Sequence, residues 1–203
     1  SEQQLLNFTK SKYNYENQKP ISWKIKRAVD ITHGIAGLIA TAPIMLVSAA
    51  AIKMESKGPV IFKQRRVGKD GKPFTIYKLR TMYNTSNNNA VTSKDDKRIT
   101  KVGKFLRKYS IDEFPQFINI IKGDMSLIGP RPIIPSEHSH SIPNFVERYA
   151  VKPGAKLEYG KSEGITPELK SQKDNEYVEH WSLKKDFKIF TKIFSDIIRG
   201  KNF

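Results

Sequence analysis

Gly34-Ile-Ala-Gly-Leu-Ile-Ala-Thr-Ala-Pro43-Ile-Met-Leu-Val-Ser-Ala-Ala-Ala-Ile52 is the stretch on which the reading of this chain turns: 19 consecutive residues without a charge. At ~1.5 Å per residue, a helix of this length approaches the ~30 Å hydrocarbon thickness of a bilayer. Three readings compete. A buried core helix is one, although the run is long and apolar on every side for a chain of 203 residues. A cleaved signal is the second: Ala49-Ala50-Ala51 mimics a cleavage site and Lys24, Lys26 and Arg27 a basic leader, yet more than thirty residues precede the run. Membrane insertion is the third and fits length and composition best.

Insertion does not require spanning. Pro43, mid-run, removes one backbone hydrogen bond and clashes with the preceding turn, so a kink is expected there. Cations flank both ends, with Lys24, Lys26 and Arg27 before the run and Lys53, Lys57 and Lys63 after it. The positive-inside bias is then met if both ends stay cytoplasmic. A re-entrant helix that enters, bends at Pro43 and returns satisfies every constraint, with Thr41 and Ser48 placed to bond carbonyls freed near the bend.

Outside the run the chain is strongly basic, 36 Lys+Arg against 20 Asp+Glu, formal net charge +16. Nucleic acid, anionic lipid and phosphorylated substrates are the matching partner classes. The absence of cysteine excludes disulfides and thiolate chemistry. Residues 1–20 read as a mobile polar tail, opening on Ser1 as a processed or engineered terminus would. Residues 59–82 alternate in polarity around a Gly68–Gly71 turn, a β-hairpin with seven basic residues and one acid (Asp70) between 63 and 80. Residues 84–96 are a polar loop, and Lys101–Tyr109 a helix capped by Thr100. The next helix stops at Gly123. Its start is open: Ser110 and Glu113 match a capping box, whereas Pro115 suits the first helical position. Residues 129–135 cannot be regular. From about 174 to 199 the pattern is helical, with Leu183, Phe187, Phe190, Phe194 and Ile197 on one stripe. The stripe faces either the core or anionic lipid.

No dinucleotide or P-loop glycine signature occurs, and no metal-spaced histidine pair. His138 and His140, and Asp95-Asp96, sit in polar loops and read as solvated. The remaining candidate is Asp112-Glu113, close in sequence to Lys94, Lys97, Arg98, Lys101, Lys104, Arg107 and Lys108. The pair either complements a helix dipole or performs phosphoryl transfer. In the second case an ionised aspartate attacks phosphorus, with cations or Mg²⁺ offsetting phosphate charge.

Five blocks in order resemble the bacterial sugar transferase family, the monotopic polyprenyl-phosphate phosphoglycosyl transferases. They are Lys26-Arg27-x-x-Asp30; Gly58-Pro-Val-Ile-Phe-Lys-Gln-Arg-Arg-Val-Gly68; Phe74-Thr-Ile-Tyr-Lys78-Leu-Arg80-Thr-Met82; Arg107-Lys-Tyr-Ser-Ile-Asp112-Glu113-Phe-Pro-Gln; and Lys122-Gly-Asp124-Met-Ser-Leu-Ile-Gly129-Pro-Arg131-Pro132. Ala42-Pro43 sits where the family kinks its re-entrant helix. The resemblance implies an α+β fold: a re-entrant membrane helix over 21–57, then a cytoplasmic catalytic domain over 58–203 with a β-hairpin and interfacial amphipathic helices. It implies that Asp112 takes a sugar phosphate from a UDP-sugar, releases UMP and passes the group to polyprenyl (undecaprenyl) phosphate. Glu113 assists through Mg²⁺ or proton transfer, and Lys78, Arg80, Arg107, Asp124 and Arg131 bind substrate or phosphate. The implied setting is the cytoplasmic face of the bacterial inner membrane among membrane lipids, without nucleic acid and with a homodimer allowed. One departure stands out. The family's Pro-Gly-Ile-Thr-Gly block is here Val151-Lys-Pro153-Gly154-Ala-Lys-Leu-Glu-Tyr-Gly160, which leaves a catalytically inactive membrane scaffold as the alternative.

Overall fold

The computed structural model describes residues 2–83, 96–135, 145–156 and 166–198. In chain order the elements are α1 (Glu2–Lys12), α2 (Tyr15–Gln18), α3 (Pro20–Glu55), β1 (Ile61–Val67), β2 (Pro73–Leu79), α4 (Lys101–Lys108), α5 (Gln116–Lys122), β3 (Ser126–Ile128), β4 (Gly154–Lys156), α6 (Pro167–Glu179) and α7 (Leu183–Ile198). This mixture of helices with two small sheets is the expected α+β class.

Among the described residues, α3 is the one helix long and apolar enough to cross a membrane. Its 36 residues form one continuous helix with Pro43 inside, ~54 Å if straight at ~1.5 Å per residue. Thr41 Oγ1 donates to Gly37 O at 2.7 Å. The carbonyl released by Pro43 is that of Ile39, four residues back, so Thr41 serves a different one. Burial falls at the two ends of α3, on Lys26, Asp30 and Gly34 and again on Ser48 and Ile52. Both sets follow the i, i+4 spacing of one helix face. Between them the helix bares Ile39 and Leu46, 69% and 72% exposed.

The first end lies on α5 and β3. Lys26 Nζ donates to Ile128 O at 3.0 Å, Arg27 caps the last carbonyls of α5 at Ile120 and Ile121, and Asp30 Oδ1 accepts from Ser126 Oγ and Leu127 N. A Cβ on Gly37 would meet the Phe117 ring at 2.5 Å, so glycine lets α5 close on α3. The second end packs Ile52 with Leu79 and Leu106. Glu55 caps α4 by accepting from Lys101 N at 2.6 Å and Val102 N at 2.9 Å.

The hairpin is antiparallel, from Ile61 opposite Leu79 to Val67 opposite Pro73. Its turn needs left-handed backbone at Asp70 (φ 58°) and Gly71 (φ 72°), conformations these two residue types tolerate best. The second sheet is the parallel pair β3–β4.

The N-terminal segment is not the expected tail. It forms α1 and α2, and Tyr13 and Tyr15 enter a core with Tyr177, Val178 and Trp181. The tyrosine rings bury apolar area on a partner more than 160 positions away in sequence, and the Tyr15 hydroxyl reaches Val178 O. The single C-terminal helix expected over 174–199 is instead α6 and α7, with a break at His180–Ser182 that turns Trp181 inward. The core face of α7 carries Leu183, Asp186, Ile189 and Ile193, and Phe187 and Phe190 of the stripe point outward, 69% and 38% exposed. Lys26, Tyr177 and Trp181 all donate to the Asp186 carboxylate, which satisfies a largely buried charge on the inner face beside the apolar side chains. The side chains of Phe194 and Ile197, His138, His140, Asp95 and residues 157–160 lie outside the described residues.

Candidate active site

The site is assembled where α4, the end of β2 and the turn before α5 meet. Thr100 caps α4 as expected, its Oγ1 accepting from Gly103 N at 2.8 Å. Gly103 rests on the backbone of β2's continuation, where a Cβ would come within 2.0 Å of Thr81 O. Leu106 then points into the core, and the next residue, Arg107, faces Thr81 and donates from Nε to its Oγ1 at 2.8 Å.

The chain reverses at Ser110, whose φ of 55° is left-handed, a strained setting for serine. Of the two starts that the sequence leaves open, the capping box does not form. Ser110's side chain makes no cap bond, and its backbone carbonyl, not its hydroxyl, accepts from Glu113 N at 3.2 Å. Ile111–Glu113 is therefore one tight 3₁₀ turn, followed by Pro115 at the cap of α5. Adjacent residues on such a turn point apart. Asp112 is turned inward, 8% exposed, whereas Glu113 meets solvent and pairs with Lys78 Nζ at 3.4 Å.

Burial pulls the Arg107 guanidinium below its ordinary range, and the negative charges of Asp112 and Asp96 oppose that shift. An arginine stays protonated under such a shift, so the pocket holds a fixed cation next to a carboxylate. Asp96 is held to about 2 by bonds from Arg98, at 2.6 Å from the terminal nitrogen and 2.9 Å from Nε. The expected loop carboxylate is thus an ion-pair member.

The structure brings Asp112, Glu113, Lys78 and Arg107 together and separates the other candidates. Arg80 caps α3, donating to Lys57 O at 2.8 Å and Ser56 O at 2.9 Å. Asp124 lies beyond the far end of α5, paired with Lys122 at 3.4 Å. Arg131 is exposed on the segment that meets the hairpin at Val67–Ile133, the end remote from Lys78. Sequence reasoning missed two supports. Thr81 holds Arg107. Asn119, fully buried, accepts from Tyr77 N at 3.1 Å and donates to Thr75 O at 2.7 Å, pinning α5 to the strand that carries Lys78. The signal for Asn119 was a lone amide in the apolar run Phe117–Ile121; Thr81 offered none.

Among the described residues no three acids or histidines gather into a metal cage. Asp112 and Glu113 point apart, so of the two it is the partly exposed Glu113 carboxylate whose chemistry suits Mg²⁺, an ion that takes one or two carboxylates and completes its shell with substrate phosphates and water.

The family model described as bacterial sugar transferase matches residues 21–200. The chain belongs to this family. Relatives of this bacterial sugar transferase include the UDP-N-acetylgalactosamine-undecaprenyl-phosphate N-acetylgalactosaminephosphotransferase of Aeromonas hydrophila, 40% identical over 92% of this chain and 48% of that protein. The UDP-glucose:undecaprenyl-phosphate glucose-1-phosphate transferase of Escherichia coli is 39% identical over 87% of this chain and 40% of that one. A Caulobacter vibrioides protein of the same name is 38% identical over 87% and 71%. The chain thus spans about half the length, or less, of the first two. In this family member the departing block keeps what packing demands. Gly129 and Gly154 press backbone to backbone, a Cβ on Gly154 falling 2.1 Å from Gly129 N, while Gly154 N donates to Pro130 O at 2.8 Å.

Proposed function

We propose that this chain transfers a sugar phosphate from a UDP-sugar to undecaprenyl phosphate at the cytoplasmic face of the bacterial inner membrane. The observation that carries the reading is the inward-turned Asp112 beside the half-buried Arg107, with Glu113 held outward on Lys78. In the first step an Asp112 carboxylate oxygen bonds to the phosphorus that bears the sugar. The bond from that phosphorus to the bridging oxygen breaks, and UMP departs with the electron pair. In the second, a phosphate oxygen of the acceptor attacks the same phosphorus and Asp112 leaves as carboxylate. Burial keeps water from intercepting the acyl phosphate between the steps. Arg107 answers the charge on the transferring phosphoryl oxygens and places a cation beside the Asp112 carboxylate. Lys78 orients Glu113, the residue that would hold Mg²⁺, and the bound ion would supply charge neutralisation on the diphosphate.

α3 supports the membrane placement. One body grips both its ends, β3 and α5 near Lys26–Gly34 and β2 and α4 near Ile52–Glu55. A helix crossing the bilayer would carry its ends to opposite faces, so a shared body argues for a re-entrant segment. The outward Phe187 and Phe190, flanked by Lys184 and Lys188, give α7 the character of an interfacial helix.

The test is incubation in detergent micelles with UDP-N-acetylgalactosamine or UDP-glucose, with and without undecaprenyl phosphate. The expected results are UMP release and, without acceptor, a sugar-phosphate adduct by intact mass that maps to Asp112. Asp112→Asn should abolish both while folding survives. A fully active Asp112→Asn defeats the covalent mechanism, and an adduct on Glu113 reverses the two roles.

A further inference from the structure

Resting on the transferase reading above, we infer that Thr81 is a positioning residue that sets the plane of the Arg107 guanidinium through its hydroxyl. Arginine's side chain is long and its guanidinium useful to a phosphate only when the fork is correctly turned. Here the inner edge is fixed, Nε donating to Thr81 Oγ1 at 2.8 Å, and that fixes the plane in which the two terminal nitrogens lie.

Thr81 is itself immobilised from three sides. It is buried, and its carbonyl accepts from Thr100 N at 3.1 Å. The same carbonyl lies directly under Gly103, so α4 cannot approach further. On the strand side, Arg80 N donates to Val60 O at 2.8 Å, and the Arg80 guanidinium holds the carbonyls of Ser56 and Lys57 at the end of α3. Glu55, one residue earlier, holds the first amides of α4. The hydroxyl that orients Arg107 is therefore anchored at the corner where the membrane helix, the hairpin and α4 join. A threonine present only for packing would be replaceable by isosteric valine. One present for its hydroxyl would not be, because valine leaves Nε–H facing a methyl group.

The experiment compares Thr81→Val, Thr81→Ser and Arg107→Ala in the full chain in detergent, singly and as the Thr81→Val/Arg107→Ala pair, with the donor that the wild type turns over. Thr81→Val should lower kcat about ten- to a hundredfold, the range for losing a hydrogen bond to a charged group, with KM within about threefold. Thr81→Ser should stay near wild type. On the Arg107→Ala background Thr81→Val should cost nothing further. A wild-type kcat in Thr81→Val, or an equal loss with and without Arg107, overturns the inference. A second readout does not need turnover: solvent exchange of the Arg107 Nε–H by NMR, slow in wild type and Thr81→Ser and fast in Thr81→Val. Fast exchange in the wild type overturns the inference even if the enzyme is active. A wild type that releases no UMP from either donor counts against the transferase reading alone, and the exchange rates then decide the role of Thr81.

Discussion

Replacing Asn119 by leucine isolates the worth of one buried amide. Leucine has the same branched heavy-atom skeleton but is bulkier, so no cavity results and some overpacking adds to the loss of the amide's bonds to the β2 backbone. Tyr77 N–H loses its acceptor at 3.1 Å and Thr75 C=O its donor at 2.7 Å, while Asp124 loses a longer contact at 3.3 Å. An orphaned buried polar group costs about 1–3 kcal/mol. Thr75 and Tyr77 are only partly buried, so water can reach part of the way. The lower half of the range then applies to each, and the sum is about 2–4 kcal/mol. Denaturant unfolding in detergent should show a lowered midpoint at unchanged slope. Asn119→Asp provides the control. It retains an acceptor for Tyr77 but sets a carboxyl in a fully buried site near Asp124. Burial and a like charge raise that carboxyl's pKa above its unfolded value of roughly 3.9. Its folded form is therefore favoured below that value and penalised as pH rises through the folded pKa, so the variant should be weakest at neutral pH and recover in acid. A loss below about 1 kcal/mol for Asn119→Leu would refute the pin, since water would then be replacing the amide.

Gly103→Ala must push α4 off Thr81, because its Cβ would lie 2.0 Å from a backbone oxygen; a loss of about 1–3 kcal/mol by thermal unfolding is expected. Cysteines placed near Ser22 and Lys57 should both be labelled from the cytoplasmic side of intact cells, and labelling from opposite sides would establish spanning. Arg107→Lys should recover only part of the activity lost in Arg107→Ala, read as UMP release, because an ammonium cannot offer a planar fork. The Asp96 carboxylate should titrate by NMR near pH 2, since its folded pKa is depressed to about 2 by Arg98. Its contribution is present above the unfolded value and lost as pH falls through the folded one, and Arg98→Met should return the titration to the ordinary aspartate range.

Local signals in the sequence were legible. The hairpin, its glycine turn, the Thr100 cap and the Gly123 stop each depend on neighbours within a few positions, so pattern alone locates them. The Asp112-Glu113 pair was found, but its division into an inward and an outward carboxylate was not, because it depends on the left-handed Ser110. Long-range burial was illegible for the same reason that α1 and α2 read as a tail: Tyr13 and Tyr15 acquire their core only when α6 folds back across the chain. The bonds of Arg80 to the end of α3 were not legible, because a cation near a phosphate site and a cation on a helix end look identical in sequence. The stripe on α7 was periodic, but Leu183 packs on the core while Phe187 and Phe190 are exposed, and the inner face also takes Asp186 with its three donors.

The corner formed by Glu55 and Arg80 also acts as a depth gauge. Arg80 takes the closing carbonyls after α3, and Glu55 takes the opening amides of α4. On the re-entrant reading proposed above, α3 would surface without an orphan acceptor facing hydrocarbon, where each would cost several kcal/mol. Sliding the segment by one residue in either direction breaks both clamps at once. On the transferase reading proposed above, the elevation of Asp112 above the lipid tails would thereby be fixed, and an acceptor phosphate tethered at headgroup level would meet that carboxylate at one height only.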